Sequence, residues 1–75
     1  MYVLLISNVS KNGLHQTLEH KQLGYSYSEL VEFNTDFSEE FFAVNPDSEL
    51  YSMILDKNGD TVFEYYSYEN ILAEL

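Results

Sequence analysis

Two stretches of the chain carry the apolar patterns of β-strands, and one of them continues into a hairpin. The run MYVLLIS, residues 1–7, is almost continuously apolar, which is typical of a strand buried on both faces. Residues 50–56 and 60–66 are also strand-like, and Asn58-Gly59 lies between them. This dipeptide predicts a β-hairpin with a type I′ turn, which needs positive φ at both central residues. The most apolar runs, 1–6 and 53–55, are predicted to be the central strands.

The region between the first strand and the hairpin is more polar. Leu14 and Leu18 are at helical spacing and predict a helix over residues 13–23. Gly24 suits the left-handed residue that commonly ends a helix. In YSELVEF, residues 27–33, apolar and polar side chains mix on both faces. This mixture predicts an edge strand.

A second predicted helix follows that strand. Asp36 is its predicted N-cap, with Glu39 three residues later as in a capping box. Its apolar stripe is Phe37, Phe41 and Val44. Pro46 cannot continue a helix, so the helix should end before it.

A third helix is predicted at the end of the sequence, over residues 67–75. Ser67 is the predicted N-cap, and the apolar positions fall at i, i+3, i+4 and i+7, on Tyr68, Ile71, Leu72 and Leu75. The predicted order is therefore β-α-β-α-β-β-α. It favours one α/β domain over residues 1–75, with a right-handed parallel βαβ unit followed by an antiparallel hairpin. We expect one four-stranded mixed sheet with helices on both faces.

Charge excludes one class of partner. The chain has 13 acidic residues, three lysines and a net charge of −10. Residues 1–28 have a net charge of +1, whereas residues 29–75 have a net charge of −11. Phosphate backbones should be repelled, so direct nucleic-acid binding is not expected. The acidic residues serve solubility, or they form a face that meets a basic protein partner or mimics DNA.

The chain lacks cysteine, so disulfides and thiol chemistry are excluded. The apolar run at residues 1–6 is too short for a signal or membrane segment, and no basic segment precedes it. We expect a soluble cytoplasmic protein without membrane partners. No metal site is expected, because His15 and His20 do not share a helix face and the stretch from Asp56 lacks the glycine and glutamate of a calcium loop.

The predicted order and length resemble the thioredoxin-like fold in its minimal glutaredoxin form, and are similar to the N-terminal domain of glutathione transferases. FFAVNPDSELYSMILDKNGDTVFEYYSYENILAEL is similar to the family's helix end, Asn-Pro, third strand, hairpin and last helix. HKQLGYSYSELVEF is similar to the end of the family's first helix and its second strand. The resemblance covers nearly the whole chain and implies the glutaredoxin arrangement of the sheet.

The resemblance also places the family's functional positions on residues that lack its chemistry. The Cys-x-x-Cys matches Ser10-Lys11-Asn12-Gly13, the cis-proline and the residue before it match Tyr51 and Leu50, and the glutathione-binding Gly-Gly with its acidic residue matches Tyr66, Ser67 and Glu69. A serine hydroxyl stays protonated near neutrality and forms no disulfide, unlike a cysteine thiolate. The degenerate active-site positions Ser10, Gly13 and Tyr51 therefore imply no catalytic residue and no enzyme activity. No cofactor is expected, and glutathione would be crowded out.

Three hypotheses remain open. The leading one is a non-catalytic, glutaredoxin-like protein-binding module with Tyr51 and Tyr66 as anchors for a partner with a basic surface. Ser10, Lys11, Leu50, Ser67 and Glu69 are further candidate partner- or ligand-binding residues. The alternatives are a glutathione-binding, transferase-like domain that uses Ser10, and an acidic inhibitor that mimics nucleic acid against a basic host protein. Glutaredoxin-like proteins also occur in viruses, and a compact acidic one is consistent with a phage source.

Overall fold

The sheet is antiparallel throughout and carries one helix among the described residues. The computed structural model describes residues 1–9 and 16–67, with the elements β1 (Tyr2–Val9), β2 (Gln16–Gly24), α1 (Tyr27–Val44), β3 (Glu49–Leu55) and β4 (Thr61–Tyr66). The strand order is β2-β1-β3-β4, and every neighbouring pair is antiparallel. The protein is therefore a small α+β domain.

The predicted α/β fold with a mixed sheet and helices on both faces is wrong. It required a parallel crossover through a helix at residues 13–23, but the chain instead returns beside β1 as the antiparallel strand β2. The predicted strand at 27–33 is part of α1. Without a parallel pair, the described chain does not have the thioredoxin arrangement. Of the predicted helix at 67–75, all but Ser67 lies outside the described residues.

The first error arose at β2, where Leu18, one of the two leucines at helical spacing, lies in a strand, while Leu14 lies outside the described residues. Leu18 pairs with Ser7, and Leu23 pairs with Val3, with a register shift between Ile6 and Ser7. Gly24 ends this strand, and Gly59 is the one described glycine with positive φ. A Cβ on Gly24 would meet Leu30 Cδ2 at 3.1 Å. The absence of a side chain at Gly24 therefore lets the end of β2 lie close to Leu30 of the core, and this glycine does not end a helix.

The second error arose at α1, whose N-cap lies ten residues before the predicted cap at Asp36. Its N-cap is Ser26, whose side chain accepts a hydrogen bond from Glu29 N at 3.3 Å and so satisfies one of the free N–H groups of the first turn. The predicted end is confirmed, since the helix finishes at Val44 and Asn45 is non-helical. Pro46 then prevents any continuation.

The two most apolar strands are central, as predicted, because β1 and β3 occupy the middle of the sheet. The core lies between α1 and one face of the sheet and consists of Leu4, Ile6, Leu30, Leu50 and Ile54, all 3% exposed or less. The helix packs against β1, β2 and β3. The ring of His20 on β2 stacks on Phe33 of α1 with centroids 5.1 Å apart.

The hairpin between β3 and β4 is confirmed, but its predicted turn type is wrong. Asn58 does not have positive φ, whereas Gly59 has φ +86°. Gly59 N donates to Asp56 O at 3.0 Å, and Asp56 N donates to Asp60 O at 2.9 Å. Asp56 Oδ1 also accepts from Asn58 N and Asp60 N. This arrangement is the three-residue loop with a glycine in the left-handed region.

Replacing Gly59 with valine is expected to lower the free energy of unfolding by about 1–2 kcal/mol, because a side chain with a Cβ is strained at positive φ. A Cβ at this position would contact no atom within 4 Å, so the loss should come from the backbone alone. Chemical denaturation measures it, with Gly59→Asn as the control, because asparagine tolerates this conformation better. Equal stability of the valine variant and the wild type would contradict the turn.

Candidate functional site

The face of the sheet that α1 does not cover is the candidate interaction surface. Burial alternates strictly along β3, with Leu50, Ser52 and Ile54 buried under the helix and the intervening residues only half-buried. Among the described residues no helix lies on that second face, which we call the open face. Its residues are identified by the strand register.

The register arranges the open face in rows that run across the strands. One row holds the apolar Leu23, Val3 and Leu55 as direct neighbours and ends at Thr61 of β4. The next holds Lys21, Leu5, Met53 and Glu64. The third holds Leu18, Ser7, Tyr51 and Tyr66.

Three of the seven exposed large apolar side chains among the described residues lie on this face or at its edge, and the other four lie elsewhere. Leu18 is 56% exposed and Leu23 is 54% exposed, while Val62, the unpaired residue at the register shift of β4, is 41% exposed. A single exposed leucine is ordinary on a protein surface. Several of them beside the half-buried Leu5 and Met53 form a continuous apolar patch, and such patches mark interaction sites.

A tyrosine pair lies at one end of the patch. Tyr51 and Tyr66 are direct cross-strand partners, and their rings stack with centroids 4.5 Å apart and an interplanar angle of 17°. The Tyr66 hydroxyl donates to Glu64 Oε2 at 3.0 Å. Hydrogen bonding to Tyr51, and then to Glu64, raises the pKa of Tyr66 well above its usual value. The pair therefore presents a fixed aromatic surface on the open face.

The structure brings together two of the predicted site residues and separates others. Tyr51 and Tyr66, the predicted anchors, share the open face. Leu50 is fully buried in the core, and its N–H donates to the buried Ser67 Oγ at 2.9 Å. The predicted Ser10, Lys11, Gly13 and Glu69 lie outside the described residues. Hence the tyrosines are grouped by strand pairing and not by the glutaredoxin groove that suggested them.

A second feature was not predicted from the sequence. Asn34 and Ser38 of α1 are 3% and 7% exposed and line a groove beside β4. Their spacing of four residues places them on one face of the helix. In the sequence, the signal for this groove is a pair of polar residues on the apolar face of a helix. The pair can be recognised only if residues 27–44 are assigned to a single helix.

Residues 1–9 and 16–67 contain no group of three or more His, Asp or Glu side chains that could hold a metal ion. No helix in this part of the chain is both long and apolar enough to cross a membrane.

Comparisons with known proteins returned no match to a protein-family model, to a curated protein or to a solved structure. These comparisons do not support the resemblance to glutaredoxins. The antiparallel sheet also differs from the mixed sheet of the glutaredoxin fold. The class that the structure defines is a small α+β domain with one helix on a four-stranded antiparallel sheet. Because a fold of this kind hosts many functions, function has to be argued from its surfaces.

Proposed function

We propose that the protein is a non-catalytic protein-binding module of the cytoplasm that uses the open face to bind a protein with a basic surface. The observation that carries this proposal is the stacked Tyr51–Tyr66 pair beside a continuous apolar patch. Tyrosine is among the residues most enriched at binding hot spots, because it offers a large area and a polar end at low conformational cost.

The edges of the open face supply charge next to the apolar contact area. Glu64 lies beside the tyrosine pair, and Glu49 lies on β3 two residues from Tyr51. Lys21 is the one basic residue in the described rows of this face. With the net charge of −10, this surface is complementary to a basic partner, which would be steered to it over distances of about a Debye length.

A second candidate function rests on a different surface. The outer side of α1 exposes Glu29, Glu32, Asp36, Glu39 and Glu40, and the first four follow one another three or four residues apart. This spacing gives a row of carboxylates separated by about 4.5–6 Å along the helix axis. The row favours the hypothesis of a nucleic-acid mimic, in which a basic protein would bind α1 and not the open face.

The serine-based glutathione alternative has lost its support. It depended on Ser10 lying at the junction of a strand and a helix in the glutaredoxin arrangement. In the structure the strand that precedes Ser10 is followed by another antiparallel strand.

Charge reversal distinguishes the two surfaces once affinity capture from the native host's lysate has identified a partner. In the open-face proposal, Glu49→Lys should slow association severalfold and weaken its salt dependence, because rim charges act chiefly on the association rate. Glu32→Lys carries the same charge change on exposed α1 and is the matched control. Stopped-flow association rates at several salt concentrations measure both variants.

The comparison has two informative outcomes. A larger effect of Glu49→Lys than of Glu32→Lys supports the open face. The reverse order would contradict it and favour the acidic row of α1. In that case affinity should also fall steeply between low and moderate salt.

A further inference from the structure

The turn of the β3–β4 hairpin carries the dipeptide Asn58-Gly59, which is reactive as well as turn-forming. An asparagine side chain loses its amide when the backbone nitrogen of the next residue attacks it, and a following glycine hinders this attack least because it has no Cβ. Residues 57–60 are exposed to solvent, and a Cβ at Gly59 would meet no atom of the described residues within 4 Å. The turn therefore offers both the water and the space that the reaction needs.

The attacking nitrogen is held in a hydrogen bond as long as the turn is closed. Gly59 N donates to Asp56 O at 3.0 Å, while Asp56 Oδ1 accepts from Asn58 N at 2.9 Å and from Asp60 N at 3.0 Å. Ring closure requires Gly59 N to lose its proton and to rotate toward Asn58 Cγ, so this N–H cannot stay bonded to Asp56 O during the reaction. The asparagine can react only after the turn opens locally.

We propose that Asn58 is a site of spontaneous deamidation and that opening of the hairpin turn sets its rate. In the opened turn a bond forms between Gly59 N and Asn58 Cγ, and the Cγ–Nδ2 bond breaks. The leaving nitrogen takes up the proton that Gly59 N has lost and departs as ammonia. Water then hydrolyses the succinimide ring: attack at Cγ restores the main chain and gives aspartate, whereas attack at the main-chain carbonyl gives iso-aspartate.

The iso-aspartate product should weaken the hairpin. It adds a methylene to the main chain of a three-residue loop, whose length fixes how the strands pair, and the first pair beyond the loop is Leu55 with Thr61. It also places a carboxylate between the acidic Asp56 and Asp60, where like charges repel. After purification by ion exchange, this form should melt at a lower temperature than the unmodified chain, and an equal Tm would contradict this consequence.

The experiment follows Asn58 by peptide mapping and mass spectrometry while the full chain is incubated at mildly alkaline pH. The chain supplies a reference, because residues 11–13 repeat the tripeptide Lys-Asn-Gly of residues 57–59. In guanidinium chloride, where the turn is not formed, Asn58 and Asn12 should convert at rates within about twofold of each other. Under native conditions conversion of Asn58 should be slower by about tenfold or more, since only the opened fraction of molecules reacts.

A variant tests the control that the turn exerts. Asp56→Ala removes the acceptor of two N–H groups but leaves every reacting atom in place, so it should speed native conversion of Asn58 about three- to tenfold. Asp47→Ala is the matched control, because it removes an exposed carboxylate from the connection between α1 and β3, and it should leave the rate unchanged. Each native rate is divided by the rate of the same variant in denaturant, which corrects for changes in intrinsic reactivity. Equal corrected rates for Asp56→Ala and the wild type would contradict control by the turn.

Hydrogen exchange measures the same opening without the chemical reaction. The Gly59 N–H exchanges with solvent only when its bond to Asp56 O is broken. Asp56→Ala should therefore lower the protection of this amide, measured by NMR, by about the factor by which it speeds deamidation.

Three results would overturn the proposal. The first is an Asn58 that stays unmodified in denaturant while Asn12 converts. The second is native conversion of Asn58 as fast as in denaturant, which would show that the closed turn is no barrier. The third is a native Asn58 that stays unmodified although exchange of the Gly59 N–H shows that the turn opens.

Discussion

Replacing Leu4 with alanine is expected to lower the free energy of unfolding by about 2–5 kcal/mol. Leu4 is fully buried on the central strand β1, between Gln22 of β2 and Ile54 of β3. The substitution removes apolar contacts and leaves a cavity. The cavity cannot close easily, because β1 is hydrogen-bonded to a strand on each side. A domain of 75 residues is stable by roughly 4–11 kcal/mol, so the variant should be close to unfolding.

Leu23→Ala is the matched control, because it makes the same change on the open face. Leu23 is 54% exposed, and the expected loss is about 0.5 kcal/mol. Urea denaturation followed by circular dichroism measures both variants. Equal losses at the two leucines would contradict the assignment of a covered face and an open face.

Replacing Tyr51 with alanine is expected to weaken binding of the captured protein partner by about 2 kcal/mol or more, which is roughly thirtyfold. Tyr51 lies in the third row of the open face, where its ring stacks on Tyr66. The substitution removes the anchor itself and also the ring that orients the second tyrosine. The loss should appear mainly as faster dissociation, because short-range contacts act after the encounter.

Two further variants make this result specific. Tyr25→Ala removes a tyrosine that is 83% exposed in the connection between β2 and α1, and it should leave affinity unchanged. Tyr51→Phe keeps the ring and should retain most of the affinity. Isothermal titration calorimetry gives the affinities, and thermal melting shows that each variant is folded. Wild-type affinity in a folded Tyr51→Ala protein would exclude the open face as the interface.

Tyr51 and Tyr66, the predicted anchors, lie side by side although the fold that suggested them is wrong. The glutaredoxin resemblance placed Tyr51 and Tyr66 beside a substrate groove, and the structure has no such arrangement. They nevertheless lie opposite each other, because the hairpin at Asn58-Gly59 pairs their strands. The sequence predicts that hairpin. The same resemblance places Leu50 and Ser67 with them, but strand alternation turns Leu50 to the other side of the sheet. Ser67 is buried just beyond the end of β4, where its Oγ accepts from Leu50 N.

Local signals in the sequence were sufficient for the hairpin, the end of α1 and the two central strands. Each depends on residues that lie close together: a glycine that tolerates positive φ, a proline that cannot continue a helix, and runs of apolar side chains that need burial on both faces. The tripeptide Lys-Asn-Gly occurs twice, at residues 11–13 and 57–59. The second occurrence predicts the hairpin. The first separates β1 from the antiparallel β2, and only the resemblance to glutaredoxins makes it a degenerate active site.

Tertiary structure alone decided between helix and strand for residues 16–33. Leu14 and Leu18 fit a helical period, but pairing with β1 makes the segment from Gln16 a strand because β1 has backbone groups to satisfy on both edges. Residues 27–33 mix apolar and polar side chains on both faces of a strand, yet Leu30 and Phe33 extend the helical stripe of Phe37 and Phe41 upstream, and α1 buries that stripe against the sheet. Short apolar segments are ambiguous by themselves. The partner against which each segment is buried, which only the folded chain supplies, determines its conformation.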